Sequence, residues 1–127
     1  MKKSGLLNPQ LCAAVARLGH TQTFVVADAG LPIPADVPVV DLALVLGTPR
    51  FQEVFDAIVD EVAVEGATIA TEAVGHEPEE WVRNRIDEVK AVSHEDLKKA
   101  LPSVSFVVRT GETTPYSNVI VHCGVAF

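Results

Sequence analysis

Short apolar runs alternate with amphipathic stretches along nearly the whole chain, and this alternation constrains the fold more than any other feature. The clearest run, Thr23 to Ala27, is rich in β-formers and is followed at once by Asp28-Ala29-Gly30-Leu31-Pro32-Ile33-Pro34. Each proline lacks a backbone donor, so this second segment is expected as a rigid loop, not as more strand. Before it, Asn8 and Pro9 suit the start of a helix over 9–18, with Leu11, Val15 and Leu18 at helical spacing and Gly19 as the stop. Val39–Leu46 is nearly all apolar, which predicts a second strand covered on both faces.

The alternation continues. Thr48-Pro49 opens a helix with Phe51, Val54, Phe55, Ile58 and Val59 on one side. Val62–Thr71 is a third strand and Glu77–Ile86 a helix with acids in its first turn. Val89–Val92 is a short strand. Ser93 caps a helix over His94–Leu101, and Asp96 completes an approximate capping box. Val104–Arg109 and Asn118–Val125 are strands joined by a loop without a helix, so the sheet need not be wholly parallel. The pattern predicts a single three-layer α/β/α domain over residues 1–127, with a mostly parallel or mixed central sheet.

Composition narrows the function. Seventeen acidic residues against ten basic ones give a net charge of -7, and no basic patch with interleaved aromatics is present, which argues against nucleic acid as a partner. No long apolar segment follows the opening MKKSGLLNPQ, so neither a secretory signal nor a membrane span is expected. Cys12 and Cys123 read as buried thiols of a cytoplasmic protein, not as a disulfide. The apolar content of 48% is high for a monomer of this size, and part of it is expected to cover a subunit interface. GxGxxG, GxxxxGK[ST], CxxC, HExxH and GxSxG are all missing. Nucleotide binding, zinc sites and the commonest hydrolytic schemes therefore have no support, and no cofactor or metal is expected.

What remains are polar residues at element ends. His20 follows a helix stop, and Asp28 ends an apolar strand, where ligands of open α/β sheets bind. His94 starts a helix with Lys98 one turn on, and Tyr116 and Asn118 flank the last loop. Each has an ordinary structural reading: a loop histidine, an Asp-Ala-Gly turn, a first-turn helix residue, a solvated lysine, a loop-anchoring tyrosine. His76 and His122 have no evident partners.

In combination these residues carry more weight. "RLGHTQTFVVADAGLPIP", "SHEDLK" at 93–98, "RTGETTPYSNVIVHCGVAF" at 109–127 and the opening "MKKSGLLN" resemble, in the same order, segments of the D-ribose pyranase family. Fucose mutarotases form a related branch, and "DAGLPIP" is closer to the ribose enzymes. The resemblance implies His20 as the catalytic acid/base and Asp28, His94, Lys98, Tyr116 and Asn118 as sugar-binding residues. It implies D-ribose as the substrate, exchanged between pyranose and furanose forms, and a ring-shaped homo-oligomer, a pentamer or a decamer of two stacked rings, with the site between subunits. His122 departs from the small residue expected at its position. The rival readings are a fucose-type mutarotase, a sugar-binding oligomer without catalysis, and a metal-dependent isomerase using His20, Asp28 and His94.

One geometric expectation follows from the residues themselves. A straight strand from Thr23 to Asp28 spans roughly 16 Å, too far for His20 and Asp28 of one chain to grip the same ring directly. Either the corner at 19–22 folds His20 back, or a neighbouring subunit supplies part of the pocket.

Overall fold

The computed structural model describes residues 1–127. Asn8 caps the first helix, α1 (Pro9–Ala16), its side-chain oxygen accepting the Leu11 N–H at 2.8 Å. β1 (Thr23–Ala27), β2 (Val39–Asp41), α2 (Phe51–Val59), β3 (Val64–Ala70), α3 (Glu77–Arg83), β4 (Val89–Val92), α4 (His94–Ala100), β5 (Val107–Arg109) and β6 (Val119–Cys123) follow. The six strands form one sheet in the order β2-β5-β1-β6-β3-β4. β1 and β2 pair parallel with β5, β3 pairs parallel with β4, and β6 is antiparallel to both its neighbours, β1 and β3. Five strands thus share one direction and β6 alone is reversed. The sheet is mixed because the connection from β5 to β6 is too short for a crossover helix.

Alternation along β1 divides the core in two. Phe24 and Val26 pack with Leu11 of α1, Phe51, Phe55 and Ile58 of α2 and Val82 of α3 on one face. Val25 and Ala27 pack with Leu31, Val37 and Leu97 of α4 on the other. Stacked aromatics fill the first layer, with Phe24 on Phe106 at 5.3 Å and Phe51 on Trp81 at 5.9 Å between ring centroids. The three-layer α/β arrangement is the one the alternation predicts.

The second strand departs from expectation. It stops at Asp41, whose Oδ1 turns back to accept the Ala43 N–H at 3.1 Å while Oδ2 holds Arg109 Nη2 at 2.6 Å. β2 is also the edge strand of the sheet, and it is covered on one face only, with Val40 buried between exposed Val39 and Asp41. Val39 and Leu44–Leu46 are exposed, Leu46 at 81%. An apolar run alone does not distinguish a buried strand from a strand plus an apolar turn. Smaller differences lie at element ends. α1 stops before Leu18, α2 begins at Phe51 with Arg50 in the cap position, and α3 ends at Arg83. The capping box of α4 is half formed: Ser93 Oγ accepts the Asp96 N–H at 3.1 Å, and the carboxylate that reaches the His94 N–H is Glu72, at 3.0 and 3.2 Å. Both cysteines are free, Cys123 buried and Cys12 only partly so.

The loop between β5 and β6 is tied down from both sides. Thr110 donates its N–H and its hydroxyl to Ala27 O at 3.0 and 2.7 Å, and Ala29 N–H reaches Glu112 O at 2.9 Å. Gly111 is packed against the 45–49 turn so closely that a Cβ would lie 2.4 Å from Thr48 O and 2.6 Å from Val45 O. Glu112 is buried. Its carboxylate accepts from Phe51 N–H at the start of α2, from Arg50 Nη1, and from the Thr113 and Thr114 N–H groups, all at 3.0–3.1 Å. Burial pushes this carboxyl up, but the Phe51 and Thr114 hydrogen bonds and Arg50 more than offset it, and its pKa lies below the ordinary glutamate value.

Two outcomes follow. Gly111→Ala is expected to cost about 2–3 kcal/mol in urea unfolding, because backbone has to move. Glu112→Gln places an amide N–H against donors and is expected to cost about 2 kcal/mol at neutral pH. The folded carboxyl titrates below the unfolded one, so its contribution is complete above the unfolded value and fades as pH falls through the folded one. The gap between wild type and Glu112→Gln, measured by urea melts, is therefore expected to narrow below about pH 4.

Candidate functional site

The strand directions sort the polar residues into two groups. Asp28 follows β1, His94 follows β4, and the 110–118 loop follows β5, all at the carboxyl edge of the parallel strands. Asn118 precedes the reversed β6 and so comes to the same edge. His20 precedes β1, and it lies at the opposite edge, where β3 begins and β6 ends.

At the carboxyl edge, Asp28 and Asn118 hold each other reciprocally. Asp28 N–H donates to Asn118 Oδ1 at 2.9 Å, and Asn118 Nδ2 donates to Asp28 Oδ2 at 3.0 Å. Asp28 Oδ1 accepts the Gly30 N–H at 3.0 Å, which closes the turn that leads into the proline loop. Tyr116 sits at φ 61°, an uncommon left-handed conformation for a bulky side chain. Its ring meets His94 edge-on, with centroids 5.1 Å apart. The imidazole Nδ1 of His94 is buried without a hydrogen-bond partner. An unpaired buried polar atom is costly unless a ligand completes it. Asp28, Gly30, Leu31, His94, Tyr116 and Asn118 line a hollow of about 200 Å³, small by the standard of drug-sized pockets. Leu46 and the 112–115 loop border an adjoining depression of about 310 Å³. The unpaired imidazole, the carboxylate and the carboxamide offer the mixed donor and acceptor set that a polyhydroxy compound requires.

Lys98 does not join this group. It lies one turn along α4, and its Nζ is 2.5 Å from Glu95 Oε1, an i,i+3 pair on the same helix. His20 lines a separate cleft of about 440 Å³ with Cys123, Val125 and Phe127. The corner that carries it is well defined. Gly19 N–H donates to Gln22 Oε1 at 2.7 Å, Thr21 adopts φ 70°, and Thr21 N–H donates to Cys123 O at 3.0 Å. The corner therefore docks on the end of β6 and does not fold His20 back toward Asp28. No three His, Cys, Asp or Glu side chains come together as a metal-binding group.

Three acids that the sequence reading passed over matter here. Glu72 fixes the start of α4, Glu112 anchors the loop that carries Tyr116 and Asn118, and Glu65 Oε2 lies 3.2 Å from His20 Nε2. Isolated acids in loops and at strand ends read as solvated charges, and nothing in their spacing marks them. His122, the unexpected residue of the last strand, is accommodated by Thr68, whose Oγ1 lies 2.9 Å from its Nε2. Burial, then Lys90, hold the His122 imidazole below its ordinary pKa.

Comparison with known proteins bears on the chain as a whole and on its fold. The chain is 87% identical over 127 residues to a D-ribose pyranase of Cutibacterium acnes and 58% identical over 128 to one of Corynebacterium glutamicum, with both chains covered completely in each case. Its fold matches the structure of Bacillus subtilis RbsD complexed with D-ribose, with a TM-score of 0.94 and 40% identity over the whole of both chains. A fucose mutarotase from Streptococcus pneumoniae, in complex with L-fucose, shares the fold at a TM-score of 0.81 and 20% identity over 94% of each chain. The model of the RbsD / FucU transport protein family matches residues 1–126, and the chain belongs to that family.

Proposed function

We propose that the chain is a cofactor-independent isomerase that interconverts the pyranose and furanose forms of D-ribose. The support is a polar hollow with an unpaired imidazole nitrogen at one edge of the sheet, in a chain whose full-length relatives are named D-ribose pyranase. His20 is the acid/base. Asp28, His94, Tyr116 and Asn118 bind sugar hydroxyls, and Lys98 reaches the sugar only if it leaves Glu95.

The chemistry needs proton transfer alone. The anomeric hydroxyl loses a proton, the ring oxygen gains one, and the C1–ring oxygen bond breaks to give the open aldehyde. The chain rotates and a different hydroxyl adds to the carbonyl, giving up its proton as the carbonyl oxygen takes one. No net proton is consumed. Imidazole, with a reference pKa near neutrality, suits both directions of transfer, and a positioned acid/base contributes about 10²- to 10⁴-fold in rate.

His20 and the Asp28 hollow belong to one working site only when supplied by different subunits of a ring-shaped homo-oligomer, a pentamer or a decamer of two rings. The apolar surface around each supports this reading. Leu46 stands exposed beside the Asp28 hollow and Phe127 beside the His20 cleft, where a neighbouring subunit would cover them. No helix of the chain is long and apolar enough to cross a membrane, and we place the activity in the cytoplasm, where the furanose product feeds a sugar kinase.

Saturation-transfer NMR on D-ribose tests the catalytic reading and separates it from simple sugar binding. Wild type is expected to accelerate ring-form exchange, and His20→Ala to lose that acceleration by about 10²-fold or more while keeping its fold and assembly. Exchange no faster with wild type than in buffer, or undiminished in His20→Ala, would overturn it.

A further inference from the structure

The His20 corner carries a second acid that nothing in the sugar hollow explains. β3 pairs with β6 through Gly66↔His122 and Ala67↔Val121, but at the strand's start Val64 faces Cys123, so Glu65 is an extra residue in the ladder. A bulge of this kind redirects a side chain and is common beside functional sites. Gly124 runs alongside the Glu65 side chain, at a distance where even a Cβ would make only ordinary contact. A Cβ on Gly124 would lie 3.4 Å from Glu65 Cβ and 3.7 Å from its Oε2. The opposite wall is the corner itself, pinned by Thr21 N–H to Cys123 O and by Cys123 N–H to Gln22 O at 3.0 and 2.9 Å. The result is Glu65 Oε2 at 3.2 Å from His20 Nε2, with both side chains about half exposed.

We infer that Glu65 is a positioning residue for His20, accepting the Nε2–H so that Nδ1 is the ring nitrogen left free to exchange protons with the sugar. An exposed pair like this contributes little to folding stability, which leaves orientation as its effect. A carboxylate can only accept, so it selects the neutral tautomer with hydrogen on Nε2 and holds the ring plane. When His20 takes a proton at Nδ1, the same carboxylate faces the resulting imidazolium. The other groups bordering this cleft do not compete for the contact: Cys123 is buried in the core, its thiol pushed up by burial, and Glu61 accepts the Leu6 N–H at 2.7 Å. His122, on the next strand position, is engaged by Thr68.

This inference rests on His20 being the acid/base, and the test separates the two. Nitrogen-15 NMR of histidine-labelled full-length protein at about pH 8.5, where neutral imidazole dominates, reads the tautomer, with the His20 signals assigned by their loss in His20→Ala. Wild type is expected to show His20 chiefly as the Nε2–H form. Glu65→Gln, whose amide can donate or accept, is expected to lose that preference, with kcat for ring exchange down about tenfold, a fraction of the 10²–10⁴ an acid/base supplies, and KM changed less than twofold. Glu65→Asp, which keeps the acceptor, is expected to recover part of both. A wild-type His20 in the Nδ1–H form overturns the inference without any variant. So does a Glu65→Gln enzyme with unchanged kcat while His20→Ala is inactive, and that outcome leaves the catalytic role of His20 standing. Full activity in His20→Ala removes both.

Discussion

The central strand β1 is a spacer of fixed length. Phe24 to Ala27 are fully buried, with β5 hydrogen-bonded on one side and β6 on the other. A strand held in this way neither bends nor shortens. Its two ends, roughly 16 Å apart at strand rise, carry the residues with the most evident chemistry, His20 before it and Asp28 after it. Everything else in the functional account is built on that separation. One end carries an imidazole beside a carboxylate, the other a hollow lined by Asp28, His94, Tyr116 and Asn118.

The two ends are stabilised by different means. At the carboxyl edge the order comes from buried hydrogen bonding. Glu112 joins the start of α2 to the loop that presents Tyr116 and Asn118, and the Asp28–Asn118 pair locks that loop to β1. Backbone contact at Gly111 leaves no room for adjustment. Such a loop can hold Tyr116 in a conformation that an unanchored chain would avoid. At the opposite edge the order comes from ladder geometry, through a bulge in β3 and a left-handed residue at Thr21. The hollow is thereby preorganised for a ligand, while His20 remains accessible on a rigid corner.

Much of this was legible in the amino-acid sequence, for physical reasons. Apolar periodicity and proline positions place the strands and helices, because a sheet with helices on both faces needs apolar strands and amphipathic helices. Asp28, His94, Tyr116 and Asn118 were readable as polar residues at element ends and do assemble. Lys98 was readable only as a neighbour of His94 and is turned to Glu95. The exposed run Leu44–Leu46 misled because an apolar run has the same composition whether it continues a core strand or forms an exposed turn. Glu65 and Glu112 were invisible for a different reason. Their importance comes from one extra residue in a ladder and from a loop meeting a helix start 61 residues away, and neither leaves a local pattern.

The claim that the two ends of β1 work together across subunits is testable by complementation. His20→Ala and Asp28→Ala subunits, each inactive alone, are co-expressed in equal amounts, mixed assemblies are verified by mass spectrometry, and ring-form exchange of D-ribose is measured by NMR. If each site takes His20 from one subunit and Asp28 from its neighbour, random mixing restores about a quarter of the sites, and activity returns to that level. Mixed assemblies as inactive as either parent would show that the site is built within one chain, and the account would fail.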